Sequence, residues 1–153
     1  MPSRDPRELL ADVVGQVCSG VSNPHGSIVS IDFGALGRRE DDDPAAFPHG
    51  FRHLTILSPW RLQSEAEVLC DWNSSGGTGG TIESVLPILA GRKVISAIAT
   101  PPAWDLIVKF SGDVQLVVFG DNDDDRDDAW FILGTDGQEC GAVPRIRGLG
   151  DSS

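Results

Sequence analysis

Apolar positions along this chain switch between a helical and a strand period, and they do so twice in the same order. In residues 8–34 and again in 83–112, a Glu leads a short apolar stretch, a Gly follows, and an alternating run comes next. A proline-containing turn then precedes a second alternating run that ends in Phe and Gly. Each copy predicts a short helix, a glycine C-cap and a two-stranded hairpin.

Local signals sharpen the first copy. Asp5-Pro6 predicts a helix start, with Asp as N-cap and Pro at the first helical position. Leu9, Leu10, Val13 and Val14 share one face, and Gly15 ends the helix. Gln16 to Val21 reads as a strand, Ser22-Asn23-Pro24-His25-Gly26 as a turn, and Ser27 to Phe33 as a second strand. In the second copy, Glu83 to Ala90 is a helix of about two turns because it contains Pro87. Gly91 caps it, Lys93 to Ala99 is a strand, and Thr100-Pro101-Pro102-Ala103 turns the chain. Trp104 to Phe110 and Val114 to Phe119 form a hairpin through Ser111-Gly112-Asp113.

Between the copies, residues 34–52 read as a loop and His53 to Leu62 as one strand that either lies at a sheet edge or carries a bulge at Pro59. Glu65 to Trp72 continues the sheet, and the glycine-rich stretch 74–80 is a connector. After the acidic stretch 121–128, Ala129 to Gly134 is a last strand, and the tail 148–153 is disordered. The expectation is a single α+β domain over residues 1–147, with about eight mainly antiparallel strands and two short helices. Its halves are 5–72 and 81–134. Turns between strands are too short for parallel crossovers.

Composition adds bounds. At 153 residues, 40% hydrophobic and 23% charged, the chain suits one globular domain. No apolar run is long enough for a transmembrane helix and no signal-peptide core is visible, so the expected location is cytoplasmic. Net charge is −11 and unevenly placed. Residues 121–128 carry −5 and residues 38–43 carry −2. Such concentrated acidity steers a basic protein partner and disfavours direct nucleic-acid binding. Cys18, Cys70 and Cys140 form no CxxC or Cys/His cluster, and neither a metal nor a cofactor is expected.

Familiar chemical motifs are tested and fail. A calcium loop starting at Asp121 fits at Asp123 and Asp125, but its sixth position is Arg126 and its twelfth Ile132. The stretch Gly76 to Thr81 lacks the lysine of a phosphate loop. No Ser lies in a nucleophile elbow, and His25, His49 and His53 have no acid at a characteristic spacing. Trp60-Arg61, on a proline-bent strand, is the most singular local feature. Trp and Arg are the types enriched at interface hot spots, while the plainer reading has Trp60 closing one end of the core and Arg61 pairing with a nearby acid.

The order IVSIDFG (28–34), HLTILSPWRL (53–62), AGRKV (90–94), WDLIVKFSGDVQLVVFGD (104–121) and AWFIL (129–133) resembles a family of small actinobacterial domains of uncharacterised function. Pro59-Trp60-Arg61-Leu62 is its sharpest motif, and it falls between the two copies, outside the repeat. Residues 71–75 only approximate the Gly-Ser-x-Asp-like turn of that family. That family has no established catalytic residues to carry over to this chain, and an immunity-type role is suggested only by analogy of size and charge.

The leading expectation is therefore a non-enzymatic protein-binding module, such as a cytoplasmic immunity-type inhibitor of a basic toxin or effector. Its partner-binding residues would be Asp121, Asp123, Asp124, Asp125, Asp127, Asp128, Trp130, Trp60 and Arg61. Two alternatives stand beside it. One is a small-molecule or metal-dependent enzyme with His53, Arg61 and Asp71 converging between the halves. The other is a structural subunit with one large flat apolar patch.

Overall fold

The computed structural model describes residues 5–35, 51–74, 76, 80–120, 129–133 and 139–143. Helix α1 (Pro6–Ala11) begins as expected: the Asp5 carboxylate accepts from the Arg7 amide at 2.9 Å and Pro6 occupies the first turn. Strands β1 (Cys18–His25) and β2 (Ile28–Phe33) follow as a hairpin. Strand β1 continues through the residues expected to turn, with an irregular register between Ser22 and His25. It lies at a sheet edge, where Pro24 forfeits no ladder bond to a second neighbour.

Then come β3 (Arg52–Ile56), β4 (Trp60–Ser64) and β5 (Val68–Asp71). Helix α2 (Thr81–Val85) passes into a 3-10 turn (Leu86–Leu89) that contains Pro87. Strands β6 (Val94–Thr100), β7 (Asp105–Phe110), β8 (Val114–Val118), β9 (Trp130–Leu133) and β10 (Glu139–Ala142) complete the fold.

The class is α+β with mainly antiparallel sheet, but among the described residues the strands number ten in two five-stranded sheets. Two differences account for the excess over eight. The run expected as one strand, 53–62, divides at Leu57-Ser58-Pro59 into β3 and β4, which lie in different sheets. Strand β10 was not expected, since Glu-Cys-Gly-Ala carries little strand propensity. The disordered tail expected at 148–153 lies outside the described residues.

The first sheet runs β1-β2-β3-β9-β10 and the second, read from its other edge, β6-β7-β8-β4-β5. The two orders correspond strand for strand, five places apart in the chain. Each half contributes three strands to its own sheet and two to the other. The Pro-Trp-Arg-Leu strand therefore has a counterpart: Ala129-Trp130-Phe131-Ile132 on β9 stands where Pro59-Trp60-Arg61-Leu62 stands around β4. Contrary to the reading from sequence, the motif lies inside the repeat, which runs on to Ala142.

Hydrogen bonds repeat across this pseudo-two-fold relation. The Gly15 amide donates to the Val94 carbonyl at 2.9 Å, and the Gly91 amide to the Cys18 carbonyl at 2.8 Å. The Cys18 amide donates to the Arg92 carbonyl, and the Val94 amide to the Gln16 carbonyl. Both glycines have φ near the left-handed region, +89° and +84°, which a side chain would strain. At the centre, Phe33 of β2 stacks on Phe110 of β7 with ring centroids 6.5 Å apart and planes 15° apart. One buried cluster draws on both sheets and on Leu9, Leu10, Ile82, Leu86 and Leu89 of the helical segments.

Candidate functional site

The outer face of the second sheet carries the most informative surface. Strand β7 alternates strictly, burying Leu106, Val108 and Phe110 and exposing Asp105, Ile107 and Lys109. Register then aligns one cross-strand row: Ile98 of β6, Ile107, Val117 of β8, Arg61 of β4 and Asp71 of β5. Cross-strand partners share a face, so these side chains lie on the side away from the core. Ile98 is 60% exposed and Ile107 37%. Ile95, the extra residue of a bulge on β6, adds another exposed aliphatic group, and Phe119 adds an aromatic one just beyond β8. Grouped apolar side chains on a water-facing sheet surface mark an interaction site far better than scattered ones do.

That row ends in a cleft of about 370 Å³ lined by Pro59, Trp60, Arg61, Asp71, Trp72, Asn73 and Phe119. The Leu57-Ser58-Pro59 crossover brings Arg61 here. The Phe119 amide bonds to the Pro59 carbonyl at 2.8 Å and sets the aromatic ring beside it. The Arg61 guanidinium carbon lies 5.3 Å from the Phe119 ring centroid, within cation–π range. Its Nε donates to Gln63 Oε1 at 2.6 Å, and Arg61 forms no ion pair with a described residue. Its cross-strand partner Asp71 instead accepts from the Asn73 amide at 2.9 Å and from the Ser74 hydroxyl at 3.3 Å. A guanidinium has five N–H donors, and one of these is engaged with a described residue.

A second depression, of about 400 Å³, lies at the other end of the same sheet, between Gln63, Glu65, Ile95, Lys109, Asp113 and Gln115. It mixes both signs of charge. This recess runs alongside the apolar row, two residues further along the strands, whereas the first cleft closes its Arg61–Asp71 end.

Of the expected partner-binding residues, Arg61 sits on this face. Trp60 and Trp130 are buried, 1% and 0% exposed, and as packed they hold the sheets together. Asp121, Asp123, Asp124, Asp125, Asp127 and Asp128 lie outside the described residues.

The trio of His53, Arg61 and Asp71 is not assembled. Arg61 and Asp71 meet across β4 and β5, while His53 belongs to the first sheet. There its Nδ1 lies 2.7 Å from Asp32 Oδ1. Sequence reasoning missed Asp32 because only the β2–β3 register brings the two residues opposite each other. Beside this pair, Ser30 and Thr55 face each other with hydroxyls 3.5 Å apart. Such a carboxylate–imidazole pair fixes ring orientation and tautomer.

Among the described residues no group of three His, Cys, Asp or Glu side chains could hold a metal ion. The three thiols are buried. Burial pushes Cys18 up to about 11, a backbone hydrogen bond with Gly20 offsets this in part, and the Asp32 charge adds to it. Burial also pushes Cys70 up to about 11, with the Asp71 charge adding to the effect. Neither is a thiolate at neutral pH, so neither has the character of a nucleophile. No family model, curated protein or solved structure matches the chain.

Proposed function

We propose that the chain is a non-enzymatic protein-binding module that docks through the outer face of its second sheet and holds a partner with a basic surface, as an immunity-type inhibitor does. The observation that carries this reading is the outward-facing row of exposed Ile98 and Ile107 and half-buried Val117 running into Arg61, with exposed Phe119 beside it. A sheet face needs no aliphatic side chains on its solvent side for folding, and polar residues serve there at less risk of aggregation.

Charge supports the choice of partner. The segments 38–43 and 121–128 together hold −7 of the net −11. The second of them joins β8 of the second sheet to β9 of the first. Concentrated acidity accelerates encounter with a basic surface and orients it, while the apolar row supplies short-range contact.

The test begins with affinity capture of a partner from the host of this protein, followed by kinetic measurement. Changing Asp123, Asp124, Asp125 and Asp127 to Asn is expected to slow association about tenfold or more at low salt. At high salt, where screening already removes steering, the difference disappears. Unchanged association at both salt concentrations would show that the acidic segment does not steer.

A further inference from the structure

The internal symmetry of the fold isolates which polar residues the scaffold does not require. Arg61 pairs with Asp71 as Phe131 pairs with Gly141, and both pairs directly precede the Leu62–Cys70 and Ile132–Cys140 partners. By the same register Trp72 corresponds to Ala142 and Asn73 to Val143. The same strand geometry is thus completed in one half by Phe, Gly, Ala and Val, and in the other by Arg, Asp, Trp and Asn. Sheet formation therefore does not account for the guanidinium.

We propose that the cleft at Arg61 is a carboxylate-binding subsite, taking a single carboxylate carried on an apolar or aromatic group. Gln63 holds the Nε edge and Phe119 the face of the guanidinium, so the side chain is oriented before any ligand arrives. An oriented fork binds a planar carboxylate through paired N–H donors, and little further rotamer entropy is lost. Pro59, Trp72 and Phe119 supply apolar wall for the group that bears the carboxylate. Asp71 lines the same cleft, and the chain as a whole carries −11. Both features favour a monoanion over a dianion such as phosphate.

This inference goes beyond the docking reading and needs no macromolecular partner. Its failure would leave that reading standing, and the reverse also holds. The experiment is a titration of the ¹⁵N-labelled 153-residue chain, observing the Arg61 Nε–H and the Trp72 indole N–H, assigned with Arg61→Lys and Trp72→Phe. The probes are 3-phenylpropionate, its neutral amide 3-phenylpropanamide, and inorganic phosphate. Two capped peptides complete the set, one with a free C-terminal carboxylate after an aromatic residue and one with a glutamate side chain and an amidated end.

Saturable shifts at both groups with 3-phenylpropionate, with a dissociation constant on the order of 1 mM, are the expected result for so small a ligand. The amide is expected to bind at least about tenfold more weakly, as is 3-phenylpropionate to Arg61→Gln, a loss of about 1.4 kcal/mol. The two peptides show which biological source of the carboxylate fits better. Equal shifts with acid and amide, no shift with any carboxylate probe, or stronger binding of phosphate would each overturn the proposal. The acid–amide comparison uses the wild-type chain, so it decides the matter even if the Arg61→Gln variant folds poorly.

Discussion

Trp60 and Trp130 hold equivalent places in the two halves, and each indole N–H reaches across to the other sheet. Trp60, opening β4 in the second sheet, donates to the Ser27 carbonyl just before β2 at 2.8 Å. Trp130, opening β9 in the first sheet, donates to the Trp104 carbonyl just before β7 at 2.9 Å. Each tryptophan marks the point where the chain leaves one sheet and enters the other, and each pins that crossing with a part-buried polar contact.

The two residues should therefore behave alike. Trp60→Phe and Trp130→Phe each remove the indole hydrogen bond to a main-chain carbonyl and leave a gap in a close-packed core. The expected cost is about 2–4 kcal/mol for each, or a fall in Tm of roughly 5–15 °C for a chain of this size. Thermal unfolding followed by circular dichroism measures it. A Trp60 variant as stable as the wild type would place that indole outside the core.

Gly120 is set apart from most other glycines by space rather than by torsion. A Cβ there would overlap the Ala103 carbonyl oxygen, which belongs to rigid backbone. Its amide also donates to Asp105 Oδ1 at 2.7 Å. Gly120→Ala is expected to destabilise by about 3 kcal/mol or more, at the upper end of overpacking costs. At Gly20 the same methyl would meet only Asp32, no nearer than 3.7 Å, and Gly20→Ala should be close to neutral. Urea denaturation of both variants provides the comparison, and equal stabilities would contradict it.

The buried thiols predict a response to alkaline pH. Cys18 and Cys70 both have folded-state values raised from 9.0 to about 11, so the native state keeps protons that the unfolded state loses. Their contribution to stability is complete below pH 9 and is lost as pH rises toward about 11. The urea midpoint should fall across that window, and Cys18→Ala/Cys70→Ala should flatten this fall. In the native protein at neutral pH, a disulfide reagent should label none of the three cysteines quickly; all three should react after unfolding. Rapid native labelling of Cys18 would contradict its burial.

How much of this was legible in the sequence depends on how far apart the interacting residues lie. The α1–β1–β2 and α2–β6–β7 units could be read because Asp5, Pro6, Gly15, Pro87 and Gly91 act within a few residues of themselves. The break at Leu57-Ser58-Pro59 could not. A proline in an apolar alternating run reads equally as a bulge or as a departure to another sheet, and only packing decides. The exchange of β4-β5 and β9-β10 between halves, and the opposition of Asp32 to His53, are long-range register facts. Arg61 was visible as an unusual residue, yet its setting depends on Phe119, 58 positions away in the chain.

The proposed docking face is tested most directly by affinity chromatography of host extract over immobilised wild-type protein and over the Ile98→Asp/Ile107→Asp variant. Both side chains are exposed, so the variant should keep the wild-type Tm to within a few degrees. With bound proteins quantified by mass spectrometry, the account predicts a partner held in stoichiometric amount by the wild type, with affinity reduced about 100-fold in the variant, close to 2.7 kcal/mol. A partner retained equally by both, or no stoichiometric partner for the wild type, would contradict it.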